Sequence, residues 1–434
     1  MPNKFTEIDS KSIIQIEELQ NTELQKHLCY LQQHSPFYQK LFKNHNINIE
    51  DIKSITDLSK IPTTSKKDLA KNNDHFLSVA KEKIVEYVTT SGTLGNPITI
   101  ALTHNDLDRL AHNEKRSLMI AGVTNHDTIQ ITTTLDKMFM AGMAYYLGAV
   151  KLGATVIRAG IGNLGMQYDN IARFKPTVSI GVPSFLNKLS NYGSQLNLNP
   201  NHTSLKKAIC IGEPLRNPDF SPNKLHQNIS ENWNIELFST YASTEMMTAF
   251  TECEAKKGGH LIPELVIIEI LDDEGNNTTP GNLGEVTVTP LGVQGMPLLR
   301  YRTGDLARLH NSPCTCGRNT TRLGPVEGRK KQMIKLKGTT IFPQAIENIL
   351  LEFETAELYV IELLTQSDGT DHVNIFVSDT NTIKQVEIIR NRLGEALRVK
   401  PDLKRITDEK LLKMLFPRGS RKPMKVLDNR NKQA

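Results

Sequence analysis

Three groups of residues in this sequence could do chemistry. The first is "TTSGTLGNP", Thr89 to Pro97, which sets Thr90, Ser91 and Thr93 beside Gly92 and Gly95. Glycines let backbone N–H groups turn toward an anion and hydroxyls donate further hydrogen bonds, so such a loop can wrap phosphate oxygens. It is not a P-loop: no Gly-Lys-Ser/Thr is present, and Asn96-Pro97 leads into strand-like "ITIAL" instead of a helix. A hairpin loop built of ordinary turn residues is the plain alternative. The second group is Cys253, His260, Cys314 and Cys316. Three thiols and an imidazole meet the ligand count of a structural zinc site, which leaves no open position for catalysis. Cys-x-Cys is a weaker signal than Cys-x-x-Cys, and three reduced loop cysteines are the alternative. The third group is the basic stretch "FPRGSRKPMKVLDNRNKQA", where a charge run at a chain end reads first as a solvated tail.

These groups need elements to position them. The first part of the chain is helical and polar, as in "IIQIEELQNTELQKHLCYLQQ". From about Lys83 short strands alternate with helices: "DTIQITTT", "AGMAYYLGAVKLGATVIRAG", "NIARFKPTVSIGVPSFLNKLSNYG", "LKKAICIGEPL" and "IELFSTYAS". That alternation predicts an α/β fold with a large, multi-layer N-terminal domain and mostly parallel sheets. "GEVTVTPLGVQGMPLLRYRTGDLARL" adds a β-rich subdomain, and after "VEGRKKQMIKLKG" the pattern restarts. The expected division is 1–330 and a small α+β domain over 331–434.

Bulk composition excludes several classes. Among 434 residues, 52 Lys and Arg face 47 Asp and Glu, a mild excess that lacks the clustered basic bias of a nucleic-acid binder. No apolar run is long enough to cross a bilayer, and the first twenty residues carry acids and no signal-peptide core. A cytoplasmic enzyme that engages neither nucleic acid nor membrane is the expectation.

Taken in order, the Gly-rich loop, "GEP" (Gly212, Glu213, Pro214), "YASTE" (Tyr241 to Glu245), "YRTGD" (Tyr301 to Asp305), "EGRKKQMIKLKG" and "KPMKVLDNR" resemble the adenylate-forming superfamily of acyl-CoA synthetases. More closely, with "HSPFYQKLF", "LSKIPTTSKKDL" and "IFPQAIE", they resemble its phenylacetate–CoA ligase branch.

The resemblance implies an AMP-forming ligase. It would join a carboxylic acid, aromatic or arylacetic, to AMP from ATP and then pass the acyl group to coenzyme A. Ser91, Gly92, Thr93 and Gly95 would hold the outer phosphates, Thr244 the α-phosphate, and Glu245 a Mg²⁺ ion. Gly212, Glu213, Pro214, Tyr241 and Ala242 would line the adenine pocket, Asp305 would accept from the ribose hydroxyls, and Arg329 would sit beside ribose and phosphate. The small domain would be mobile, with Lys331 as hinge and Gly338 at the thiol channel, and Lys422 would be the adenylating lysine. The acyl pocket falls on "TLDKMFMAGMAYYLG", with Phe139, Met140, Gly142 and Tyr145 as lining; plain core packing is the alternative for its methionines. Glu245 as a helix cap and Asp305 as a turn residue are the bland alternatives there. Leu94 and Asn96 stand where the branch has Thr and Lys, so one cation for the pyrophosphate is missing. An acyl carrier protein as acceptor, a homodimer, and a nucleotide-binding protein that has lost catalysis are the remaining expectations weighed.

Overall fold

The computed structural model describes residues 6–90, 98–336, 339–356, 358–366, 371–397, 401–417 and 423–430. The chain divides into two compact units, the second formed essentially by Glu327 onward.

The large unit is organised by a sheet of nine strands: β1 (Thr128–Ile131), β2 (Thr155–Arg158), β3 (Val178–Gly181), β4 (Lys207–Ile211), β5 (Glu236–Ser243), β6 (Thr248–Glu252), β7 (Gly259–His260), β8 (Leu309–His310) and β9 (Arg322–Leu323). Their order is β8-β9-β7-β6-β5-β4-β3-β1-β2. The five strands β1 to β5 are mutually parallel, and pairing turns antiparallel from β6 onward. Parallel pairing needs crossovers. Helices α3 (Met140–Leu152), α4 (Leu164–Phe174), α5 (Pro183–Gln195) and Lys224–Asn232 supply them, which is why β3 and β4 read as almost wholly apolar runs. Two earlier helices, α1 (Ile13–His34) and α2 (His104–Ile120), begin on Ser12 and Thr103, whose side chains accept backbone N–H groups as capping boxes.

A second sheet in this unit runs in the order Thr64–Ser65, Tyr301–Ala307, Gly284–Pro290, Val266–Leu271 and is antiparallel apart from the short first strand. The flanks of the Gly-rich loop, Ile84–Thr89 and Thr99–Thr103, form an antiparallel hairpin. The parallel sheet thus forms only part of the β structure, and the antiparallel share is larger than the sequence alternation suggests.

The small unit is α+β. Its sheet runs Asp402–Ile406, Asp371–Ser378, Tyr359–Thr365, Val426–Asp428, with helices Pro343–Leu350, Ile383–Leu397 and Asp408–Leu415 packing apolar faces around it. Within the basic tail, residues 423–430 join this sheet: Val426 pairs with Ile361 and Asp428 with Leu363. Arg430, expected to be mere solvated charge, is corrected. Its guanidinium pairs with Asp428 Oδ2 at 2.7 Å and Asp371 Oδ2 at 3.2 Å and donates to Met333 O at 2.6 Å.

Candidate active site and metal centre

Open parallel sheets bind ligands beyond the carboxyl ends of their strands. Two of the motifs lie there: Gly212–Glu213–Pro214 follows β4, and Tyr241 and Ala242 close β5, with Thr244 and Glu245 in the turn after it. Gly212 has φ +78° with open space where a Cβ would stand, so a ligand can approach its backbone. The Glu213 Oε2 accepts the Ser184 N–H at 2.8 Å, at the positive end of α5.

Asp305 arrives from the second sheet. Its buried carboxylate accepts the Tyr241 hydroxyl at 2.8 Å, so the two motifs meet. Glu245 is buried. Its Oε1 lies 3.5 Å from the Tyr301 hydroxyl and 3.6 Å from Lys66 Nζ. Lys66 carries no sequence signal of function. It opens the short helix Lys66–Lys71 just after the strand Thr64–Ser65, whose pairing with Tyr301 and Arg302 delivers it.

The turn bearing Glu245 is clamped from beneath. Met247 has φ +47°, a left-handed conformation that costs a side-chain-bearing residue roughly 1–3 kcal/mol. Arg109 of α2 holds it, donating to Met247 O at 2.7 Å, Leu265 O at 2.6 Å and Leu291 O at 2.6 Å. One helical turn further along α2, Asn113 Oδ1 accepts the Ala249 N–H at 3.2 Å.

The expected acyl-pocket residues divide. Phe139 is half-buried at the start of α3, and a Cβ on Gly142 would meet Thr134 O at 2.0 Å, so only glycine lets α3 approach there. Met140 and Tyr145 are 5% and 2% exposed and sit in apolar clusters. Arg329 and Lys331 are exposed in the small unit. Ser91, Gly92, Thr93, Gly95, Gly338 and Lys422 lie outside the described residues.

The cysteine group converges. Cys253 follows β6, His260 ends β7, and Cys314 and Cys316 lie in the loop between β8 and β9; their ligand atoms all fall within 4.8 Å of one another. Cys253 Sγ is 3.6 Å from Cys314 Sγ, and Cys316 Sγ is 3.5 Å from His260 Nε2. A tetrahedron with ~2.3 Å zinc–sulfur and ~2.0 Å zinc–nitrogen bonds has edges of roughly 3.5–3.8 Å, so the donor set fits zinc in kind and in spacing. His260 Nδ1 lies 2.8 Å from Thr320 Oγ1, a partner that fixes the ring with Nε2 toward the sulfurs. A hydrogen bond from Cys253, with another from His260, holds the Cys316 thiol far below the usual thiol range, while Cys253 is pushed up. Thr320 and Arg318, which donates to Cys316 Sγ at 3.5 Å, were not legible as partners from spacing alone.

Among the described residues no helix is long and apolar enough to cross a membrane. The AMP-binding enzyme family matches residues 9–294. A phenylacetate–coenzyme A ligase of Aromatoleum evansii is 30% identical over 393 residues, 89% of this chain and 85% of the relative. That of Escherichia coli K12 is 30% identical over 362 residues, 81% and 79%. In three dimensions the chain is similar to a 2-hydroxyisobutyryl-CoA ligase in complex with an acyl-adenylate, with a TM-score of 0.83 at 21% identity, over 98% of this chain and 92% of that one.

Proposed function

This chain belongs to the AMP-binding enzyme family, in its phenylacetate–CoA ligase branch, and from that premise we propose that it is an AMP-forming ligase joining an aromatic or arylacetic acid to coenzyme A. A carboxylate oxygen attacks the α-phosphorus of ATP and expels pyrophosphate. The thiol of coenzyme A then attacks the acyl carbonyl and expels AMP.

The physical obstacle is the meeting of two anions, which calls for cations and donors placed where charge gathers. The observation that carries the reading is the grouping at the carboxyl end of β5. Glu245 with Lys66 makes a phosphate-facing pole, and Asp305 with Tyr241 makes a pole suited to ribose hydroxyls. One carboxylate beside bound phosphates suits Mg²⁺, which keeps most of its water and would screen the phosphate charge there. Lys66 supplies a cation beside Glu245. Thr244, in the same turn, is the donor to the α-phosphate, and Gly212 leaves room for the adenine.

Cys253, His260, Cys314 and Cys316 hold a structural Zn²⁺ in this reading; with four protein ligands it takes no part in the steps above. The choice of an arylacetic acid rests on the names of the relatives and on the half-buried Phe139 at the start of α3.

Acid-dependent ATP–pyrophosphate exchange, run over aryl, arylacetyl and medium-chain acids, tests the proposal. Exchange should be strongest with an arylacetic or aromatic acid, and the same acid should give its CoA thioester. Absence of exchange with every acid, while ATP still binds, would instead mark a nucleotide-binding protein without this activity.

A further inference from the structure

The turn carrying Cys314 and Cys316 has a second face. Gly317, at φ +91°, closes it by donating its N–H to Cys314 O at 2.9 Å, and Arg318 and Asn319 follow at once. Asn319 grips the segment around the short helix Glu7–Ser10. Its backbone N–H donates to Asp9 O at 3.0 Å, and its side-chain amide donates to Lys11 O at 3.1 Å and Ser10 O at 3.4 Å. Arg318, whose side chain is 1% exposed, donates to Cys316 Sγ on one side and lies 3.8 Å from Asp9 Oδ2 on the other. Asp9, also buried, is paired with Arg116 of α2 at 2.7 Å, and Arg116 reaches Thr6 Oγ1 as well.

These contacts form one continuous chain from the metal ligands to an early segment of the sequence. Its strength depends on the state of the sulfurs. Zinc with three thiolates and a neutral imidazole carries net negative charge, so the Arg318 N–H···S contact becomes charge-assisted. The metal also fixes Cys314 and Cys316 relative to β6 and β7, and so fixes the turn from which Asn319 projects. Asp9 and Arg116 are costly to bury and stay favourable only while their partners hold position.

We propose that metal loading of the Cys253–His260–Cys314–Cys316 centre, acting through Arg318 and Asn319, locks the segment Thr6–Lys11 onto the large unit. The proposal rests on the zinc reading above. The centre is then a staple that joins the early segment, α2 and the β8–β9 loop, remote in sequence from one another.

The test is hydrogen–deuterium exchange of the full-length protein, with zinc content measured by elemental analysis before and after chelation. Removing zinc should raise exchange of the amides of residues 9–12 and 317–320 at least about tenfold, the scale of a local opening. Strand Tyr359–Thr365 of the small unit should be unchanged. Arg318→Gln should loosen residues 9–12 while zinc stays stoichiometric, which separates the relay from the metal site itself. Unchanged protection of residues 9–12 after zinc has left would overturn the proposal, as would an equal rise in both units. A purified protein that holds no metal would overturn the zinc reading, and this proposal with it.

Discussion

Lys66 Nζ stands 3.6 Å from Glu245 Oε1, joining a residue just past the strand Thr64–Ser65 to the turn after β5. A half-exposed ion pair adds little stability, so its placement matters more than its strength. If Glu245 takes Mg²⁺ as proposed, an ammonium beside it offers a second positive charge to the departing pyrophosphate. Lys66→Ala should therefore lower acid-dependent ATP–pyrophosphate exchange by about tenfold or more. Thioester formation from a supplied acyl-adenylate should change little. A variant that loses both half-reactions equally would place Lys66 in the fold and not in the chemistry.

Lys422 carries a separate expectation from the family resemblance. Lys422→Ala should abolish formation of the acyl-adenylate yet largely spare its conversion to thioester, because a cation bridging carboxylate and α-phosphate is needed only while those anions join. Single-turnover assays started from acid and ATP, and from synthetic acyl-adenylate, read the two steps apart. Equal loss in both would remove the assignment.

The ribose pole makes a third expectation. Asp305→Ala removes the acceptor that Tyr241 donates to and that the ribose hydroxyls would share. The KM for ATP should rise about tenfold or more, with a far smaller change in the KM for the acid. Initial-rate measurements with each substrate varied in turn check this. A change confined to the acid would reassign the carboxylate.

What sequence reading reached, and what it missed, follows from the range of the forces involved. The alternation of apolar strands with helices is local, so the parallel strands β1 to β5 were legible, whereas a shared nucleotide for "YASTE" and "YRTGD" was implied only by the family resemblance. Lys66 was not legible, since only the pairing of Thr64–Ser65 with Tyr301–Arg302 brings it to Glu245. Thr320 and Arg318 acquire their roles from a turn closed by Gly317. Met140 and Tyr145 show the opposite limit: an apolar, aromatic helix reads alike whether it faces a ligand or a core, and both side chains are buried. Arg430 likewise read as tail charge until strand pairing beside Ile361 and Leu363 gave it partners.

The metal centre gives a fourth expectation. Cys316→Ser should drop bound zinc from about one equivalent to a small fraction and lower the melting temperature, since zinc bound only by the folded state stabilises it. Cys29→Ser, at an exposed cysteine away from the cluster, should keep its zinc. Elemental analysis with thermal melts of both variants decides.

Glu114 provides the last expectation, one of pH. It lies buried on α2, where Gly148 of α3 packs so close that a Cβ there would stand 2.3 Å from Glu114 Cβ. Asn113 Nδ2 donates to Oε1 at 2.9 Å, the Ser117 hydroxyl lies beside the carboxyl, and among the described residues Oε2 makes no hydrogen bond of good geometry. Burial pushes this carboxyl up to about 8, so the folded protein holds it as the neutral acid at neutral pH. Between the ordinary carboxyl range and about 8 the folded state then binds a proton that the unfolded state has released. The contribution to stability is full at low pH and is lost as pH rises through that window, by an amount on the order of 3–5 kcal/mol. Glu114→Gln copies the neutral acid and cannot ionise. Its melting temperature should gain on the wild type steadily from pH 5 to pH 8, by roughly 5 °C or more, and the gap should level off above that. Melting curves collected across this range give the answer. A gap that stays constant with pH would show that Glu114 ionises as readily folded as unfolded.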